Sequence, residues 1–188
     1  MAGLQARARD VANTRANIGL IHAMPPVISI VGRRNSGKTM VLEALIAELT
    51  RRGLRVGVLK HSAHEFEIDV EGKDTWRYRR AGARAAGIMS PSGLAVIRTL
   101  TGELPLEQAV SLLGSDLDVI LTEGFTRAPT LKVEVIRAAT GCELRTPAGQ
   151  LLAVVADCPV PVQAPAPRLS FEDTSALADI IVGQLGPK

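Results

Sequence analysis

The chain has 188 residues, the usual size of one domain and enough to bury an apolar core without a disulfide or a metal. Apolar residues make up 46% and aromatic residues 3%, so the core should be aliphatic, as in a buried parallel sheet. The 22 basic and 19 acidic side chains give a net charge of +3 without a long block of one sign, which argues against nucleic-acid binding.

Cysteine usage and hydropathy favour a cytoplasmic protein that does not interact with membranes. No apolar run approaches the roughly 18 residues of a membrane span, and the first residues lack the apolar stretch of a secretory signal. Cys142 and Cys158 have no CxxC spacing, so we interpret both as packing residues in a reducing cytosol.

The first 26 residues read as an extension that precedes the domain. They carry Arg7, Arg9 and Arg15 against one acid, Asp10. We expect residues 1–26 to be a flexible, dispensable N-terminal extension and residues 27–188 to form the domain. A basic targeting peptide is the alternative interpretation.

In chain order, the pattern first predicts the strand, loop, helix and strand of a βαβ unit. Residues 27–31 form a short β-branched run that ends in Gly32. In residues 38–52, apolar side chains recur at three- and four-residue spacing, and Gly53 follows as a stop signal. Residues 55–61 read as the second strand.

The middle of the chain begins with a polar stretch, residues 62–73. A helix over residues 74–81 follows, with Asp74 as its predicted N-cap. Two apolar segments, residues 85–90 and 93–100, are separated by a Pro-Ser-Gly turn signal, which predicts a hairpin.

The second half of the chain continues to alternate between helices and strands. The predicted elements are a helix near 105–114, strands at 118–124, 132–137 and 151–156, loops at 138–150 and 159–167, and a helix over 174–185. This alternation predicts a doubly wound α/β fold with a mainly parallel sheet in three α/β/α layers.

The loop between the first strand and the first helix reads Gly-Arg-Arg-Asn-Ser-Gly-Lys-Thr at residues 32–39, which we name the P-loop. Its glycines let successive backbone N–H groups point at phosphates, at the positive end of the following helix. Lys38 would reach the outer phosphates, and Thr39 would bind the Mg²⁺ that they share. The flanking strand and helix favour a P-loop NTPase over a simple glycine-rich turn. The predicted nucleotide-binding residues are Gly32, Asn35, Ser36, Gly37, Lys38 and Thr39.

Two acidic residues are candidates for the chemistry at the outer phosphate. Glu123 ends a buried strand, where an open α/β sheet binds its ligand, and would hold Mg²⁺ directly or through water. Asp69 lies in the polar loop and would complete the Mg²⁺ shell or orient an attacking water, with a solvated loop charge as the alternative. We therefore predict Asp69 as the catalytic residue and Thr39, Asp69 and Glu123 as the metal ligands.

His61 and His64 are three residues apart and invite a transition-metal interpretation. Two histidines without a nearby cysteine or third histidine are weak evidence, so contacts to phosphate or to a partner are favoured. Arg77, Arg79 and Arg80 lie on the next predicted helix, where a solvated face is favoured over an anion site.

Together with the P-loop, several motifs resemble the MobB family of molybdopterin-guanine dinucleotide biosynthesis proteins, in the SIMIBI branch of P-loop NTPases. In family order they are Lys60-His61 with the acidic run to Asp69, Gly72-Lys73-Asp74-Thr75, Arg80-Ala81-Gly82-Ala83, residues 118–125, and residues 153–159. They cover the chain from residue 27 to its C-terminus.

The resemblance implies GTP as the nucleotide, weak Mg²⁺-dependent GTPase activity and a homodimer. It also implies a supporting role beside the MobA-type nucleotidyltransferase that attaches GMP to molybdopterin, with molybdopterin itself as a further candidate ligand. By the same resemblance, Asp157 is the candidate for guanine recognition. Many family members have a lysine where this chain has Thr126-Arg127, and Asn-Lys-x-Asp is absent, so the motifs alone do not choose GTP over ATP.

Two other functions remain open at the level of sequence. A small-molecule kinase would use Asp69 to deprotonate an acceptor hydroxyl. A metallochaperone GTPase would use His61 and His64. In the MobB-type GTPase, hydrolysis should be slow, because no arginine finger is evident. Arg33 and Arg34 are candidate substitutes, although arginines in loops are more often solvated.

Overall fold

The computed structural model of the chain describes residues 24–160 and 166–186. The strands are β1 (Val27–Val31), β2 (Val56–Lys60), β3 (Ala85–Ser90), β4 (Gly93–Arg98), β5 (Val119–Glu123), β6 (Leu131–Ile136), β7 (Leu151–Ala156) and β8 (Arg168–Leu169). The helices are α1 (Lys38–Arg51), α2 (Asp74–Arg80), α3 (Leu106–Ser111) and α4 (Thr174–Val182).

Six of the strands form one parallel sheet in the order β2-β5-β1-β6-β7-β8. The predicted mainly parallel α/β fold is therefore confirmed. Because all the strands run in the same direction, their carboxyl ends meet at one edge of the sheet, where such folds bind ligands. The P-loop follows β1 at the centre of this edge, with β5 and β2 on one side and β6, β7 and β8 on the other.

One face of the sheet packs against α1 and α4 in an aliphatic core. Leu45 and Leu49 of α1 and Ile181 of α4 are completely buried against the strands. Each such side chain stabilises the fold by about 1.5–3 kcal/mol relative to exposure. Arg52 bridges the two helices, because it contacts Glu48 at 2.8 Å and Asp179 at 2.6 Å. This packing fixes the helix that follows the P-loop.

The opposite face of the sheet combines a smaller apolar cluster, which includes Ile136, Val154 and Ala156, with buried polar residues. The buried polar residues of its strands are Ser29, Thr122, Lys132 and Glu134. The Lys132 ammonium donates to the carbonyl oxygens of Ala128 at 2.6 Å and Thr130 at 3.0 Å and to the Gln150 side chain at 2.7 Å. Burial lowers the pKa of Lys132. These contacts satisfy groups that would otherwise be costly to bury, and they attach the loop before β6 to the sheet.

Strands β3 and β4 form a separate antiparallel hairpin, as predicted. Met89 lies opposite Leu94 in the register. These side chains are 80% and 71% exposed, and Val96 on the same face is also exposed. The hairpin therefore presents an apolar face without cover from the described residues of the chain.

The structure corrects the interpretation of the cysteines and some element boundaries. Cys142 and Cys158 are joined by a disulfide with their Cα atoms 6.1 Å apart, so they are not separate packing residues. Folding brings the end of β7 against the 138–150 segment. The spacing of the two cysteines in the sequence did not reveal this contact. The N-cap of α2 is Lys73 and not Asp74, and the short strand β8 was not predicted.

Part of the predicted extension, residues 1–23, lies outside the described residues. Pro26, which the sequence assigned to the extension, is described and is attached to the sheet, because its carbonyl accepts a 2.9 Å hydrogen bond from the Ile120 amide. Among the described residues, no helix is both long and apolar enough to cross a membrane.

Candidate functional site

The P-loop leaves β1 at Gly32 and enters α1 at Lys38. Its residues Gly32, Asn35 and Gly37 have φ angles of 146°, 62° and 94°. A Cβ atom on Gly32 would lie 2.3 Å from the Val135 carbonyl oxygen, so a side chain there would collide with the backbone of β6. The first glycine of the loop is therefore required by its contact with the neighbouring strand.

Lys38 curls back over the P-loop. Its ammonium donates to the carbonyl oxygens of Gly32 at 3.2 Å and Arg33 at 2.7 Å. Burial lowers the pKa of Lys38; the charge of Glu123 opposes this shift, and Lys60 adds to it. Asn35 is exposed, whereas Ser36 is completely buried: its amide donates to the Arg33 carbonyl at 3.3 Å, and its hydroxyl has no hydrogen-bond partner among the described residues.

Three side chains from different elements converge beside Lys38. The Thr39 hydroxyl donates to Glu123 Oε2 at 3.2 Å, and the Lys60 ammonium lies 3.3 Å from the same oxygen. Hydroxyl and carboxylate oxygens are ligands that Mg²⁺ accepts, and it usually keeps several waters and phosphate oxygens besides. Thr39 and Glu123 therefore fit a magnesium site. Lys60 was missed as a site residue, although its position at the end of β2 was a usable signal.

Asp69 faces a different part of the molecule. Its carboxylate accepts a 2.8 Å hydrogen bond from the Thr75 hydroxyl and lies 3.5 Å from Arg79, and the side chain is 6% exposed. Both partners belong to α2, and the structure does not bring Asp69 together with Thr39 and Glu123. Its catalytic and metal-binding roles stay predictions that would require the 62–73 segment to move.

Asp157 lies after β7, on the other side of the P-loop. Its Oδ1 accepts a 2.6 Å hydrogen bond from the Ala138 amide, and its Oδ2 lies 3.8 Å from Arg137. The Arg137 guanidinium stacks over the Phe171 ring at 4.2 Å from its centroid. Arg137 and Phe171 were not predicted as site residues, because strands far apart in sequence bring them together.

The 138–150 segment contacts the P-loop through Arg33. The guanidinium of Arg33 donates to the Thr140 carbonyl at 2.7 Å and forms an ion pair with Glu143. Between these two contacts lies Cys142, whose disulfide ties the segment to Cys158, one residue after Asp157. The disulfide therefore links the surroundings of Asp157 to the start of the P-loop.

A cavity of about 870 Å³ lies next to Glu123, at the ends of β2 and β5. His61 and Phe125 form part of its wall, with their ring centroids 4.9 Å apart, and Glu103 and Arg127 line it as well. Phe125 has a φ of 52°, a strained conformation for a bulky residue that is found more often at functional sites. The volume suits a small-molecule ligand.

In this chain the central strand of a parallel sheet leads through a glycine-rich loop to a lysine and a threonine at the start of a helix. This arrangement defines a protein of the P-loop class. The chain belongs to the MobB family: the family model described as molybdopterin guanine dinucleotide synthesis protein B matches residues 27–157. The resemblance seen in the sequence is thereby confirmed.

Relatives in several bacteria agree with this assignment. A molybdopterin-guanine dinucleotide biosynthesis adapter protein of Escherichia coli is 32% identical over 85% of this chain and 93% of its own length. A protein of the same name from Haemophilus influenzae is 37% identical over 57% of this chain and 61% of its own length. The crystal structure of Bacillus subtilis MobB has a TM-score of 0.68 at 28% identity, covering 87% of this chain and 99% of that chain.

Proposed function

We propose that this MobB-family chain is a GTP-binding adapter that assists a MobA-type nucleotidyltransferase in attaching GMP to molybdopterin. The observation that carries the proposal is the convergence of Lys38, Thr39 and Glu123 at the P-loop. The name of the Escherichia coli relative, an adapter protein of molybdopterin-guanine dinucleotide biosynthesis, supports the pathway.

In this proposal, P-loop amides and Lys38 hold the phosphates of GTP, while Thr39 and Glu123 hold Mg²⁺. Bound Mg²⁺ would draw negative charge from the phosphate oxygens. Lys60 would balance the Glu123 carboxylate, to which it lies at 3.3 Å. Asp157 is the proposed acceptor for the N–H groups of guanine.

Hydrolysis by the chain alone should be weak. Arg33 is engaged by Thr140 and Glu143, and Arg34 is exposed, so neither is poised as an arginine finger. The contribution of such an arginine is roughly 10³- to 10⁵-fold in rate. A GTPase that lacks it is suited to report its nucleotide state to a partner rather than to turn over rapidly.

The partner surfaces we propose are a homodimer contact and a contact with the nucleotidyltransferase. The exposed apolar face of the β3–β4 hairpin supports the homodimer, because an apolar patch of this kind is stabilised by burial. We place the protein in the cytoplasm, where GTP is available. Reductants in that compartment would act on the Cys142–Cys158 disulfide.

Molybdopterin is a further proposed ligand, and the cavity beside Glu123 supports this. The cavity offers the rings of His61 and Phe125 for stacking and the Arg127 guanidinium for an anion, which are contacts that a phosphate-bearing heterocycle can use. Such a ligand would lie next to the proposed Mg²⁺ site.

The kinase and metallochaperone alternatives have less support. Asp69 is paired with α2, and no group of three or more metal-ligating His, Cys, Asp or Glu side chains occurs among the described residues. Incubation with Mg²⁺ and γ-labelled GTP separates an adapter GTPase from a kinase, and a titration with nickel and zinc tests for a metallochaperone. An adapter GTPase should release labelled phosphate slowly, a kinase should label an acceptor molecule, and a metallochaperone should bind nickel or zinc stoichiometrically.

A further inference from the structure

The contact between Arg137 and Phe171 lies where three strands end beside the P-loop. Arg137 follows β6, and Phe171 follows β8. One side of the Phe171 ring packs against the aliphatic core, and the Arg137 guanidinium lies 4.2 Å from the ring centroid. Arg137 is 35% exposed, so this pair, which we name the base wall, is accessible from solvent.

The base wall touches the last glycine of the P-loop. A Cβ atom on Gly37 would lie 3.1 Å from Arg137 Nη2 and 3.1 Å from Phe171 Cε1. The wall therefore begins where the loop becomes α1. A ligand whose phosphates are held by the loop amides would have its remaining atoms within reach of this wall.

The position of Glu123 sets the direction in which a nucleotide must lie. Thr39, Glu123 and Lys60 mark the metal and outer-phosphate end of the site, on the side of the sheet formed by β5 and β2. The base must then extend toward the other side, along the ends of β6, β7 and β8. Arg137, Asp157 and Phe171 follow these three strands in that order.

We propose that the outer face of the Arg137 guanidinium, which the Phe171 ring supports from behind, stacks on the purine ring of the nucleotide bound at the P-loop. The inference rests on the proposed function and extends it from the phosphates to the base. Purines stack on aromatic rings and on guanidinium planes, and such stacking tolerates any base, because every base has a π-face. The wall thus binds purine nucleotides as a class, without reading the base edge.

Asp157 supplies the complementary edge contact. An ionised carboxylate only accepts hydrogen bonds, and guanine presents adjacent N–H donors where adenine does not. The Oδ1 of Asp157 is already fixed by the Ala138 amide at 2.6 Å. Its Oδ2 lies 3.8 Å from Arg137, so Phe171→Leu, which leaves this ion pair in place, is the variant that separates binding by the wall from discrimination by Asp157.

The experiment measures the affinities of GTP, ATP and inorganic tripolyphosphate with Mg²⁺ for the full chain by calorimetry. The variants are Arg137→Ala, which removes a partly exposed side chain, and Phe171→Leu, which keeps most of the apolar volume. Arg145→Ala is the matched control, because it removes an exposed arginine from the neighbouring segment.

We expect Phe171→Leu to weaken GTP and ATP by the same factor, at least about fivefold, the ratio given by the lower range of base-stacking energies. Arg137→Ala should weaken both nucleotides as well, but unequally, because it also removes the ion-pair partner of Asp157. The affinity of tripolyphosphate should be the same for all variants as for the wild type. This unchanged affinity would also show that the P-loop is intact. Equal nucleotide affinities in the wild type and both wall variants would contradict the stacking role of the wall and leave nucleotide binding at the P-loop in place. A wild-type protein that binds neither nucleotide nor tripolyphosphate would overturn the proposed function and the wall together.

Discussion

The Thr39 hydroxyl donates a 3.2 Å hydrogen bond to the Glu123 carboxylate, although the two residues are 84 positions apart in sequence. Thr39 lies in the first turn of α1, and Glu123 ends β5, the neighbour of β1 in the sheet. The contact joins the helix after the P-loop to a second strand end, so both oxygen groups can reach one cation.

Replacing Lys38 with alanine should abolish nucleotide binding and leave the fold intact. Its ammonium contacts two P-loop carbonyl groups and no other protein acceptor among the described residues, so its loss should change the free energy of unfolding by less than about 1 kcal/mol. Loss of its charge from the phosphates should reduce GTP affinity by at least roughly 100-fold. Calorimetry with GTP and thermal unfolding measure the two quantities.

The matched control for that variant is Lys73→Ala, which removes an exposed lysine before α2. Its GTP affinity should equal that of the wild type. A Lys38→Ala protein that binds GTP normally would contradict the role of the P-loop in phosphate binding.

Replacing Glu123 with glutamine should raise the Mg²⁺ concentration that GTP hydrolysis requires. Glutamine keeps the size and an oxygen acceptor for Thr39, but it removes the charge that attracts the cation. We expect hydrolysis to fall by at least roughly tenfold at limiting Mg²⁺, while GTP binding measured in EDTA stays unchanged. Phosphate release over a Mg²⁺ titration is the measurement.

Asp118→Asn is the control for Glu123, because Asp118 lies just before the same strand at its opposite end and pairs with Arg55 at 3.1 Å. It should change stability but not the Mg²⁺ titration. If both variants shift the titration equally, the effect is structural and the assignment of Glu123 to the cation is wrong.

Reducing the Cys142–Cys158 disulfide should destabilise the protein. The bond closes a loop across a sequence separation of 16 residues, and such a loop contributes about 3 kcal/mol in the chain-entropy model. For a chain of this size the expected fall in melting temperature is about 6–12 °C. Melting curves with and without a dithiol reductant, and of the Cys142→Ser and Cys158→Ser double variant, measure it.

Alkylation followed by mass spectrometry checks the same bond independently. Neither cysteine is free in the structure, so no thiol should be alkylated without reductant, and two should be alkylated after reduction. Two reactive thiols in the unreduced protein would restore the interpretation of the cysteines as separate packing residues.

The sequence predicted those features that depend on local pattern. The β-branched run before Gly32 and the helical spacing after Lys38 specify the strand, loop and helix, because each depends on neighbouring residues. The disulfide and the contact of Arg137 with Phe171 depend on which strands are adjacent in the sheet. Lys132 illustrates the same limit: its burial follows from carbonyl groups supplied by a loop, which its strand pattern does not indicate.

Replacing Met89 with aspartate should convert the proposed homodimer into a monomer. Met89 and Leu94 face each other across the β3–β4 hairpin and are 80% and 71% exposed in the single chain. A carboxylate on this face would have to be desolvated in a dimer that buries it, which is unfavourable without a partner charge. Light scattering coupled to size exclusion gives the mass. Ser92→Asp in the hairpin turn adds the same charge outside the apolar face and should stay dimeric. A Met89→Asp protein that stays dimeric would show that the dimer does not use this face, and a monomeric wild type would contradict the proposed homodimer.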